Sequence, residues 1–82
     1  MISKGITRGG NPMDRQSVKS SNISSIGYDA KSQTLEVEFR SGGIYQYFKV
    51  PVSIYNGLMK APSHGSYFQQ HIKDNYRWKE VQ

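Results

Sequence analysis

The sequence predicts an α+β domain: a three-stranded antiparallel β-meander followed by two short helices, with a C-terminal segment suited to an edge strand. Three observations lead there. Residues 34–40 alternate apolar and polar side chains without a fault, and a second such run begins at Ile44 after Ser41-Gly42-Gly43. Beyond Pro51 the apolar spacing lengthens from two residues to three or four, the period of a helix face.

The first strand is expected over Asn22–Tyr28, where Ile23, Ile26 and Tyr28 do not keep a regular two-residue alternation. Asp29–Gln33 is turn-like in composition. In Thr34–Arg40, Leu35, Val37 and Phe39 are expected to face the core and Glu36, Glu38 and Arg40 to face water. Ile44–Val50 completes the hairpin. Pro51 suits the first turn of a helix whose Ile54, Tyr55, Leu58 and Met59 share a face to about Lys60. Gly57 inside that helix costs about 1 kcal/mol relative to Ala, and Pro62 ends it. Ser63 or Ser66 can cap a second helix with Tyr67, Phe68, His71 and Ile72 on one side, ending near Asp74-Asn75. Residues 76–81 alternate again and can pair at the sheet edge or lie across the core.

Composition bounds the rest. Eighty-two residues make one domain, and without a cysteine its core depends on ten aromatic residues, six of them tyrosine. The missing cysteines exclude a disulfide scaffold and a Cys-type zinc site, and they fit a cytoplasmic chain. No apolar run approaches the roughly 20 residues that span a bilayer, so no membrane partner is expected. Residues 1–16 hold three glycines and a proline among polar residues, a composition too poor in apolar surface to offset the entropy of ordering. They are expected to form a flexible tail, with Met13 a second candidate start, and residues 17–82 to form the single domain. Three of the eleven Lys and Arg and one of the six Asp and Glu lie in that tail, so residues 17–82 carry a net charge of only +3.

The parity of the hairpin loop decides where two tyrosines point. If Gly42-Gly43 is a two-residue loop, Phe39 opposes Gln46, and Tyr45 and Tyr47 stand outside beside Arg40 and Glu38. If Ser41-Gly42-Gly43 is a three-residue loop, Phe39 opposes Tyr45 and Val37 opposes Tyr47, which puts both rings in the core. An unpartnered Gln46 in a dry core costs about 1–3 kcal/mol, whereas a tyrosine can bury its ring and keep its hydroxyl at the rim. This favours the tyrosines inward.

From Ser20 to about Trp78 the chain resembles the KTSC domain. The matching residues are Ser21-Asn22-Ile23, Ile26-Gly27-Tyr28-Asp29, Leu35–Phe39, Tyr45-Gln46-Tyr47, Val50-Pro51, and Ala61-Pro62-Ser63 leading to Gly65–Phe68. The resemblance implies a module found at the C-terminus of some lysyl-tRNA synthetases and as free-standing bacterial proteins. Its function is unknown, and the synthetase fusion suggests RNA as a ligand.

Candidate binding residues follow from chemistry that suits RNA. Tyr45 and Tyr47, flanked by Arg40 and Lys49, can stack bases while the cations meet phosphates. Arg77-Trp78-Lys79 offers a ring between two cations, although closing the core is the commoner use of a lone tryptophan in so small a domain. Lys19, Lys60 and Lys73 are scattered and read as solvated. His64 and His71 stand seven residues apart, about 10 Å along a helix, too far to share a metal ion. No cofactor and no metal are expected. No serine lies in a Gly-x-Ser-x-Gly setting, and Glu36 and Glu38 on one strand face do not make an acid and base pair, so no enzyme is expected. Two partners stay open: RNA, or a protein, including a second copy that pairs an edge strand or buries Ile44 and Phe48.

Overall fold

The faultless alternation of residues 34–39 becomes the middle strand of a five-stranded antiparallel sheet in order β1-β2-β3-β4-β5. A computed structural model describes residues 14–81. Its elements are β1 (Arg15–Ser17), β2 (Ile23–Asp29), β3 (Thr34–Phe39), β4 (Ile44–Tyr47), α1 (Val52–Lys60), α2 (His64–His71) and β5 (Trp78–Glu80). The meander, the two helices and the C-terminal edge strand are therefore all present, with one further strand at the front. Residues 1–13, most of the expected tail, lie outside the described residues.

Arg15 and Gln16, placed in that tail by their polarity, instead belong to β1, which pairs Arg15 with Gly27 and Ser17 with Ser25. The cause is a side-chain anchor that composition does not reveal. Arg15 donates from Nη1 to Glu36 Oε2 at 2.5 Å and from Nε to Ser25 Oγ at 3.0 Å. Gln46 Nε2 donates to the other Glu36 oxygen at 2.9 Å. Glu36 is therefore not a solvated residue as expected: it is 1% exposed, on the central strand, held by an arginine and an amide. Charge-assisted hydrogen bonds of this kind make burial of a carboxylate tolerable.

The irregular spacing of β2 has a physical origin. The pairing with β3 shifts between Ile23 and Ser25, which leaves Ser24 as an extra residue. That bulge lets Ile23 and Ile26, three apart, both enter the core, where each is at most 1% exposed. At the β3–β4 turn the loop has three residues, which turns Tyr45 and Tyr47 to the inner face, but it is Arg40-Ser41-Gly42 rather than Ser41-Gly42-Gly43. Val37 pairs with Tyr45 and Leu35 with Tyr47, and the Phe39 amide donates to the Gly43 carbonyl at 2.9 Å. Gly42 supplies the φ of +116° that closes the loop. The register thus differs by two residues from the three-residue expectation while the facing is the same, because side chains alternate with period two.

Ile23, Ile26, Leu35, Val37 and Val50 from the sheet side meet Leu58 of α1 and Phe68 and Ile72 of α2 and its end. Pro51 sits at the N-cap of α1 rather than in its first turn. Ser63 caps α2, its hydroxyl accepting from the Ser66 amide at 3.2 Å. His64 Nδ1 donates to the Leu58 carbonyl at 2.8 Å and ties the two helices, and the His71 ring lies against Tyr67. His64 is half-buried between the helices, and His71 is exposed.

Candidate functional site

Where the Arg40-Ser41-Gly42 turn and the start of β2 approach α2, the sheet and helix splay and leave a groove of about 670 Å³. Five aromatic rings line it and pack edge to face in a chain: Trp78 on Tyr45 at 5.3 Å, Tyr45 on Phe39 at 5.6 Å, Phe39 on Phe68 at 5.3 Å and Phe68 on Tyr47 at 5.3 Å. Such contacts contribute about 0.5–1.5 kcal/mol each beyond burial, so the groove floor is a stiff part of the core. The chain of rings leads from inside to outside: Tyr47 is 5% exposed, Tyr45 half-buried and Trp78 54% exposed.

Polar groups ring this floor. Arg40 is fixed by its Nε, which donates to the Ser20 carbonyl at 2.6 Å, and by its amide, which donates to the Asn22 carbonyl at 2.9 Å. That leaves the terminal guanidinium nitrogens for a ligand. Asn22 forms the facing wall so closely against α2 that a Cβ on Gly65 would stand 3.2 Å from its Nδ2. Gln69 lies on α2, and Lys73 and Asp74 follow it. Burial, assisted by neighbouring Tyr45 and Asp74, pushes the Tyr47 phenol up to about 12, so it stays protonated throughout the physiological range.

Of the seven residues singled out from the sequence, Arg40, Tyr45, Tyr47 and Trp78 meet at this groove. Tyr47 is a floor residue with no ring face free for a base. Trp78, expected to close the core, stays open because it lies on the edge strand β5 and no element beyond β5 covers it among the described residues. Alternation along β5 sends Lys79, opposite Gln46, to the other sheet face, so the ring between two cations does not form. Arg77 lines an adjoining shallow recess with Phe48 and Asn75, and Asp74 and Trp78 form the wall that this recess shares with the groove. Lys49 is exposed at φ +58° after β4, the end of the sheet remote from the Arg40 turn. Sequence reading missed Asn22, Gln69 and Asp74 as groove residues and left Lys73 among solvated lysines. Only the Asp74-Asn75 helix stop marked that stretch, and it signals chain reversal rather than a site. Among the described residues no group of three or more His, Cys, Asp or Glu is arranged to hold a metal ion.

The same arrangement of strands and helices recurs in known proteins. A family model, the KTSC domain, matches residues 19–76. The chain belongs to the KTSC domain family. The crystal structure of a KTSC domain protein from Yersinia pestis superposes with a TM-score of 0.83 at 41% identity, covering 85% of this chain and 99% of that one. An uncharacterized protein of Stutzerimonas stutzeri is 43% identical over 70 residues, 84% of this chain and 99% of its own length. The lysine–tRNA ligase of Nostoc punctiforme is 42% identical over 59 residues, 72% of this chain. This chain spans about a tenth of the length of the ligases it matches, 10% in that case. The KTSC match takes in the Arg40 turn, α2 and Asp74, and stops short of β1 and Trp78.

Proposed function

We propose that this KTSC domain is a small non-catalytic RNA-binding module of the bacterial cytoplasm, which holds an unpaired nucleotide in the groove between α2 and the β3–β4 turn. The observation that carries this reading is the convergence of an exposed tryptophan, backed by Tyr45, with two cations, Arg40 and Lys73, on one concave surface. A base stacks on Trp78, worth about 1–3 kcal/mol, while the cations meet its phosphates. Related segments in lysine–tRNA ligases, proteins whose name includes tRNA, lend it support. Lys49 and Lys79 lie outside the groove and add only to the surrounding positive field, while Arg77 borders it across the recess that shares Asp74 and Trp78.

The competing reading is a protein-interaction or accessory domain that self-associates by an edge strand or through Ile44 and Phe48. It finds less support, since β1 and β5 are three residues each and both apolar side chains are half-buried. Titrating the full chain with labelled single-stranded, duplex and hairpin RNA at two salt concentrations separates the two. Salt-dependent binding tighter than the nonspecific range of about 10⁻⁴–10⁻⁶ M, with unpaired RNA preferred and Trp78→Ala weakening it, is expected. Uniform binding inside that range, or none, overturns the RNA reading in favour of a protein partner.

A further inference from the structure

The groove contains a group that a site for phosphate and stacking alone would exclude. Asp74, an exposed residue, lines this groove together with Arg40, Lys73 and the aromatic rings, and borders the Arg77 recess on its other side. The ion pair between Arg15 and Glu36 is the sole one among the described residues, so no cation neutralises Asp74 by contact. An ionised carboxylate only accepts hydrogen bonds and repels the phosphates that the neighbouring lysine attracts. Its presence makes sense beside a ligand edge that donates.

Resting on the RNA reading, we infer that the groove selects the base it stacks and that this base is guanine. The four RNA bases differ in what they offer a carboxylate. The Watson–Crick edge of guanine carries N1–H and N2–H side by side, two parallel donors that match two carboxylate oxygens. Adenine and cytosine each bring one exocyclic amine next to a ring nitrogen that accepts. Uracil brings one N–H between two carbonyls. Only guanine satisfies both oxygens of Asp74 without setting an acceptor against it, and such charge-assisted pairs are roughly twice as strong as neutral ones. The remaining group on that edge, O6, accepts, and the protonated Tyr47 hydroxyl on the groove floor is a donor in the same cavity. Trp78, 54% exposed, offers the ring face for stacking.

Trp78 is the only tryptophan, so its fluorescence reports the groove directly in the full-length chain. Uracil-rich RNA pentamers with guanine, inosine, adenine, cytosine or uracil at the centre are titrated against it. Guanine is expected to bind about 10-fold or more tighter than adenine, cytosine or uracil. Inosine, which keeps N1–H and O6 but lacks the N2 amine, is expected to fall between. Asp74→Asn, with folding checked by circular dichroism, is expected to abolish the guanine preference while uracil pentamer binding is kept or strengthened. Equal affinities for all five pentamers overturn guanine selection and leave the RNA reading standing. A guanine preference that survives Asp74→Asn overturns selection by the Asp74 carboxylate. Absence of binding by every pentamer and by longer unpaired RNA overturns both.

Discussion

Gly57 of α1 and Tyr67 of α2 meet at a point where a Cβ on residue 57 would stand 2.1 Å from the Tyr67 hydroxyl oxygen and 2.7 Å from its Cζ. The glycine that looks like a helix defect in the sequence is what allows the two helices to close. Gly57→Ala is therefore expected to destabilise. It gains about 1 kcal/mol of helix propensity, but the aromatic ring, already against His71, must turn away, an overpacking cost of about 1–3 kcal/mol. Urea denaturation of Gly57→Ala in the native and in a Tyr67→Ala background checks this, because without the ring the same substitution should stabilise. A stabilising Gly57→Ala in the native background would show that the contact does not constrain packing.

Arg15 reaches across β2 to Glu36, so the first strand is held by a side chain. Arg15→Ala is expected to lower stability by about 1.5–3 kcal/mol, the range for hydrogen bonds to charged groups. Arg15→Lys should recover only part, since an ammonium cannot reproduce bonds directed from two guanidinium nitrogens. The urea midpoint at unchanged slope reads both effects. A midpoint that does not move contradicts the anchor, and a chain trimmed to begin at Ser17, which also loses the pairing of Arg15 and Gln16 with β2, is predicted to lose at least as much stability.

The strands β2 to β4, both helices and the edge strand were legible because each depends on local periodicity, turn residues or caps. Even the inward facing of Tyr45 and Tyr47 followed from the cost of burying Gln46. What was illegible depends on long-range partners. Arg15 and Glu36 lie far apart in the chain, so polarity alone sent one to a tail and the other to solvent. The double glycine drew the loop to residues 41–43, whereas the φ of Gly42 and the Phe39 to Gly43 hydrogen bond place it at 40–42. Half of the site was visible in the same sense: Arg40, Tyr45 and Trp78 carry recognisable chemistry, while Asp74 and Lys73 join the groove only because α2 ends beside the sheet.

Alkaline pH tests how firmly Tyr47 is buried. Its folded-state value, pushed up to about 12 by burial and then by Tyr45 and Asp74, lies above the ordinary 10.0 of an unfolded chain. The folded state therefore binds the extra proton between these values, and stability falls as pH rises. The contribution is fully present below pH 10 and lost by about pH 12, on the order of 2–3 kcal/mol. Tyr28, raised by burial and by Asp29, adds a loss of the same sign. Comparing the chain with Tyr47→Phe isolates the larger part, and parallel alkaline stability profiles would refute it.

Stacking and packing can be separated because the two ends of the aromatic chain differ in exposure. Tyr47 is 5% exposed and Trp78 54%. Tyr47→Ala removes a floor residue and is expected to cost about 3–5 kcal/mol of stability, so any loss of RNA binding it causes is confounded by unfolding. Trp78→Ala removes a ring whose described aromatic contact is with Tyr45, and is expected to cost about 0.5–1.5 kcal/mol. Yet it should weaken RNA binding roughly tenfold or more, the loss of one stacked base. Trp78→Phe should restore part of that affinity. Lys73→Ala should act differently, weakening binding across sequences and lowering the salt slope by about one. Anisotropy titrations across a salt series, paired with urea midpoints for each variant, carry the test. If Trp78→Ala leaves affinity unchanged while the fold is intact, the exposed ring is not where RNA binds.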